Sequence, residues 1–182
     1  MPLFIHVATI LILIIVAYQD FNERKIHWIL IPACFFLLYW NAIKSVGLIE
    51  AFKFTFQNFL FFSLQIILVS TYFFLKYKKS LNIINTFLGI GDVLFLLAIC
   101  PGFAPVNFII FYLITLILGL TGFLIYRKVI AVTSSEIPLA GIIAISMGSL
   151  FLYKDLGRGF DIYDNEFLVN LAVKWNLLSS YH

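Results

Sequence analysis

Phe87-Leu88-Gly89-Ile90-Gly91-Asp92-Val93-Leu94-Phe95-Leu96-Leu97-Ala98-Ile99-Cys100 sets one carboxylate inside an otherwise apolar run. An ionised side chain is expensive in hydrocarbon, so one retained there marks proton, ion or catalytic chemistry by default. Gly89 and Gly91 remove side-chain bulk just ahead of Asp92 and let another backbone, or a substrate, approach closely. Upstream, Ala17-Tyr18-Gln19-Asp20 closes the first apolar run on a second aspartate. The bland reading of Asp92 is a buried acid satisfied by threonine or backbone donors; that of Asp20 is an ordinary polar residue at a helix end. The pairing lifts both above it.

Around this stretch the chain is 63% hydrophobic and 12% charged over 182 residues, with a mean hydropathy of +1.04. A soluble domain of this length cannot bury so much apolar surface, so the fold class expected is an all-α integral membrane protein. The net charge of +3 is scattered and offers no basic stripe for nucleic acid. Cys34 and Cys100 both fall in apolar runs and read as small buried residues, with no CxxC pair to hold a metal. Leu3 to Tyr18 has the length of a signal peptide. It lacks a basic lead and a small-residue cleavage site, so it is expected to be a retained helix.

Apolar windows of roughly 17–25 residues predict about six transmembrane helices, near residues 3–19, 26–43, 53–75, 83–100, 105–126 and 137–153. The breaks fall at Asp20–Lys25, Asn41–Glu50, Lys76–Ser80, Pro101–Pro105 and Arg127–Glu136. No repeat or linker divides them, so residues 1–153 form one membrane domain and 154–182 a polar tail. In that tail Phe167, Leu168, Leu171, Ala172, Trp175 and Leu178 make a stripe opposite Asn170, Lys174 and Asn176. The pattern predicts an interfacial amphipathic helix.

Lys and Arg set the orientation. With the N-terminus outside, Arg24, Lys25, Lys76, Lys78, Lys79, Arg127 and Lys128 lie inside; Lys44, Lys53, Lys154, Arg158 and Lys174 lie outside. Asp20 then falls at the cytoplasmic face, and Asp92 lies on a helix entering from that face. Asn82, Asn85 and Thr86 suit lipid poorly, and the two glycines weaken a helix. Residues 80–90 are therefore expected to be irregular or re-entrant, with regular helix from about Gly91.

Two carboxylates facing one cavity hydrolyse peptides when one is ionised and the other protonated. The first takes a proton from water; the second donates to the carbonyl oxygen or the leaving nitrogen. Like charges at close range resist double ionisation, so such a pair shares one proton and titrates as a unit. The chemistry needs no cofactor and no metal. Asp20 and Asp92 are the catalytic candidates, and Gly89, Gly91 and Pro138 the candidates for backbone or substrate access.

Three motifs carry a family resemblance. The first is Asp20-Phe21-Asn22-Glu23-Arg24-Lys25-Ile26, followed by His27-Trp28. The others are Gly89-Ile90-Gly91-Asp92 and Ile137-Pro138-Leu139-Ala140-Gly141. In order and spacing, over most of residues 1–152, they resemble the type IV prepilin peptidases, membrane aspartic proteases with a GxGD motif. His27-Trp28 stand where that family usually has Pro-Asn, and Leu94 where it typically has Lys. Without paired CxxC motifs, the chain is similar to the short members, the tight-adherence pilus and archaeal preflagellin type. The resemblance implies an endopeptidase in the cell membrane that cuts the basic leader from prepilin-like precursors at the cytoplasmic face.

Other residues weigh less. Glu23, Arg24 and Lys25 read mainly as a solvated loop, with steering of a basic leader the minority reading. His27 has no second histidine near it in sequence, and Lys76, Tyr77, Lys78 and Lys79 read as a topology anchor. Two other functional classes compete. A presenilin or signal-peptide-peptidase type protease shares GxGD, but has Tyr-Asp adjacent where Gln19 here separates Tyr18 from Asp20. A non-catalytic assembly or transport protein is the third; a carrier is expected to show a second broken span, which this sequence lacks.

Overall fold

A computed structural model of the chain describes residues 3–77, 89–130, 138–155 and 161–164. The described elements are helical: α1 (Leu3–Glu23), α2 (Leu30–Val46), α3 (Leu48–Tyr77), α4 (Ile90–Ile99), α5 (Pro105–Ile130) and α6 (Leu139–Asp155), with a 3-10 turn at Cys100–Gly102. Three segments are long and apolar enough to cross a bilayer: Phe4–Glu23, Leu48–Lys76 and Pro105–Ile125. Leu30–Val46, Ile90–Gly102 and Leu139–Lys154 are shorter apolar helices.

Several expected boundaries move, each for a local reason. No break begins at Asp20: α1 runs on to Glu23 and stops at Arg24, whose φ of 55° takes the chain out of the helix. The second helix starts at Leu30 rather than residue 26. Before it, the His27 N–H donates to Gln19 Oε1 at 2.9 Å and ties the connection to α1. Pro32 falls in the first turn of α2, where its missing N–H is harmless.

The expected break at Asn41–Glu50 shrinks to one residue. Gly47, at φ 86°, turns the chain between α2 and α3, and Ala51 N–H already donates to Gly47 O at 3.0 Å. The polar residues that mimicked a loop belong to helices. Asn41 is buried and donates to Thr9 Oγ1 at 3.2 Å, Lys44 lies over the Trp40 ring, and Lys53 pairs with Glu50 at 2.7 Å. The break expected from Arg127 does not begin there, because α5 runs on to Ile130; residues 131–136 lie outside the described residues.

Around α4 the expectation fits where the chain is described. Gly89 is extended (φ −62°, ψ 138°) and regular helix begins at Ile90. The rest of the expected irregular segment, residues 80–88, lies outside the described residues, as does the amphipathic helix expected over 167–178. At its far end α4 tightens into the 3-10 turn, and Asn58 of α3 donates to Cys100 O and Phe103 O at 2.8 and 2.9 Å. Cys34 and Cys100 are buried free thiols.

The core runs between α1, α2, α4 and α6, with Leu13, Leu38, Phe95, Ile99 and Met147 almost completely enclosed. Phe103, Phe108 and Phe111 join the base of α5 to it. Residues 161–164, assigned by sequence to a polar tail, return to this base. Ala104 N–H and Asn107 Nδ2 both donate to Ile162 O, Asn107 also reaches Asp164 O, and Ile162 and Tyr163 are buried. Burial, then the neighbouring Asp161 carboxylate, pushes the Tyr163 phenol above its usual range.

Candidate active site

The α6 helix starts at Leu139 directly after Pro138, whose carbonyl accepts the Ile142 N–H at 3.2 Å. Pro138 thus occupies the cap position, and Leu139, Ala140 and Gly141 form the first turn. N–H groups in a first turn have no acceptor within their own helix and carry the positive end of its dipole. Here two of them are taken by carboxylates. Gly141 N–H donates to Asp20 Oδ2 at 2.6 Å, and Ala140 N–H donates to Asp92 Oδ1 at 3.0 Å.

Asp20 arrives on the last turn of α1, and its side chain is buried. Asp92 arrives on the first turn of α4, half-buried, and also accepts from the backbone N–H of Gly89. An acid at the third helical position reaching back to the cap residue's N–H is one half of a capping box; glycine, with no side chain, supplies no return bond. The two carboxylates are near enough for the charge of Asp20 to act on Asp92, and the Arg24 guanidinium acts on both.

The sequence candidates separate at this level. Asp20 and Asp92, 72 positions apart by number, meet on successive amides. Gly89 belongs with them, because a Cβ there would stand 3.3 Å from Asp92 Oδ2. Gly91 is less constrained: a Cβ would meet Ile26 Cδ1 at an ordinary 3.8 Å. Pro138 starts the helix whose amides hold the acids.

Sequence reasoning included Ala140 and Gly141 in the third motif but gave them no role at the site, because they act through backbone groups common to every residue type. The available signal was Gly141 itself, a glycine in the first turn after a proline. A Cβ there would lie 2.9 Å from Phe21 Cε2 and 3.1 Å from Asp20 Oδ2. Phe21 also ends an apolar groove of about 460 Å³ between α1 and α6, lined by Leu13, Ile14, Ala17, Ala144 and Leu152 among others.

Comparison with protein-family models, with curated proteins and with solved structures finds no match for this chain.

Proposed function

We propose that this chain is a membrane aspartic endopeptidase of the prepilin peptidase type, with Asp20 and Asp92 as its catalytic pair. The observation that carries the reading is the convergence of two acids from separate helices on adjacent amides of a third. Acids that served only to cap helices would have no need to meet.

In this reading α2, α4 and α6 complete six crossings with α1, α3 and α5. With its 3-10 extension, α4 is about 20 Å long at 1.5 Å per residue, short of a hydrocarbon core of about 30 Å. The N-terminus is outside, and the pair faces the cytoplasm.

Chemistry follows from one proton shared between two carboxylates. The ionised member removes a proton from a water molecule as its oxygen attacks the scissile carbonyl. The protonated member donates to the carbonyl oxygen, giving a neutral diol. Collapse of the diol returns a proton to the leaving nitrogen, breaks the C–N bond and restores the starting state. The substrate class is a precursor with a short basic leader followed by an apolar helix.

The test is to express the chain with such a precursor and sequence the product. Cleavage between leader and apolar helix, lost by about 10²-fold or more in Asp20→Asn, is the expected result. A cut within the apolar helix would favour the presenilin-type reading instead.

A further inference from the structure

Asp20 and Asp92 sit on helices that each pack against α2 and α6, and it is α6 that bonds both carboxylates. We propose that the first turn of α6 assembles the catalytic pair, with Gly141 as its positioning residue. This rests on the peptidase reading above and adds to it a third structural participant that contributes no side-chain chemistry.

Two features lead there. Because the donors are successive peptide groups of one rigid turn, they fix the spacing of the two acids as a single unit. Water could satisfy either carboxylate, but it would not hold one relative to the other. The second feature is steric. The approach of α1 that delivers Asp20 to the Gly141 amide at 2.6 Å presses Phe21 onto the same glycine, leaving no room for a Cβ. This is not general to glycines of the bundle: a Cβ at Gly122 in α5 would meet nothing within 4 Å.

Gly141→Ala therefore forces the ring or the carboxylate to move. A displacement of about 1 Å at a catalytic centre can lose about 10²-fold in rate. The loss falls on kcat, because orientation of the acids matters in the transition state more than in substrate binding.

The experiment uses the full chain in lipid bilayers with a leader-bearing precursor, comparing wild type, Gly141→Ala, Gly122→Ala and Asp92→Asn at matched membrane levels. Expected are a kcat lowered about 10²-fold with KM within about twofold and an altered pH–rate profile for Gly141→Ala. Gly122→Ala should match wild type, and Asp92→Asn should be inactive. Wild-type kcat and pH profile in Gly141→Ala, with Asp92→Asn inactive, overturn the positioning role and leave the peptidase reading standing. Equal cleavage by Asp92→Asn overturns the peptidase reading itself.

A second readout needs no substrate: the pH dependence of carbodiimide labelling at Asp20 and Asp92, read by mass spectrometry. Its midpoint at Asp20 should move in Gly141→Ala, and an unmoved midpoint also overturns the proposal. If Gly141→Ala fails to accumulate, Ala140→Pro removes the donor to Asp92 at a first-turn position where proline is tolerated. The same criterion then applies to the Asp92 midpoint. Restored kcat in Phe21→Ala/Gly141→Ala would trace the loss to the ring alone and count against the carboxylate role.

Discussion

Asp92 does two things that a single substitution can confuse. It caps α4 through the Gly89 N–H, and it faces Asp20 across the α6 amides. Asp92→Asn keeps an acceptor for capping and removes the ionisable group, whereas Asp92→Ala removes both. Thermal unfolding in detergent should therefore leave Asn near wild type and lower Ala by about 0.5–2 kcal/mol. An Asn variant as unstable as Ala would mean that the charge, not the cap, holds the helix start. Gly89→Ala places a methyl 3.3 Å from the Asp92 carboxylate, so it should reduce cleavage more than Gly91→Ala, whose new methyl meets Ile26 at van der Waals distance. The reverse order would contradict the geometry. The two acids were legible in the sequence because a charge in an apolar run stands out. Their holders were not, since an amide N–H leaves no mark in composition and only Gly141 hints at the close approach.

Among the helices, existence was easier to read than extent. Apolar runs mark each described helix, but polar residues at the helix ends read as loops in sequence. Asn41, Lys44 and Glu50 illustrate why: one is buried against Thr9, one covers Trp40 and one pairs within its helix, so none needs a loop. A hydropathy window registers polarity and is blind to a partner on a neighbouring helix. What breaks the chain there is Gly47 at φ 86°, ψ 165°, an extended positive-φ region open essentially to glycine alone, and Gly47→Ala should destabilise the fold by about 1–3 kcal/mol in thermal unfolding. Asn58 carries more, because two carbonyls at the foot of α4 depend on it. Asn58→Ala is expected to cost about 1–3 kcal/mol by the same measurement. A wild-type melting curve for Asn58→Ala would show that those carbonyls find other donors.

Across the molecule, the exterior is the strongest physical statement. Phe56, Leu64, Ile67, Leu68 and Leu75 on α3 are more than half exposed, and little of that helix is buried. Such a surface is stable against hydrocarbon and aggregates in water. With the N-terminus outside, single cysteines at Lys25 and Ser45, both exposed, should label from opposite faces of sealed membranes. Labelling from the same face would overturn the proposed six-crossing topology, in which α2 separates the two positions. In the proposed topology both acids lie at the cytoplasmic end, where the basic leader of the proposed substrate would meet its apolar helix. The most direct measurement is cleavage of such a precursor by wild type and by Asp92→Asn in the same membranes at equal abundance. Cleavage by wild type with none by Asp92→Asn is predicted; equal cleavage by both would contradict a catalytic Asp20–Asp92 pair.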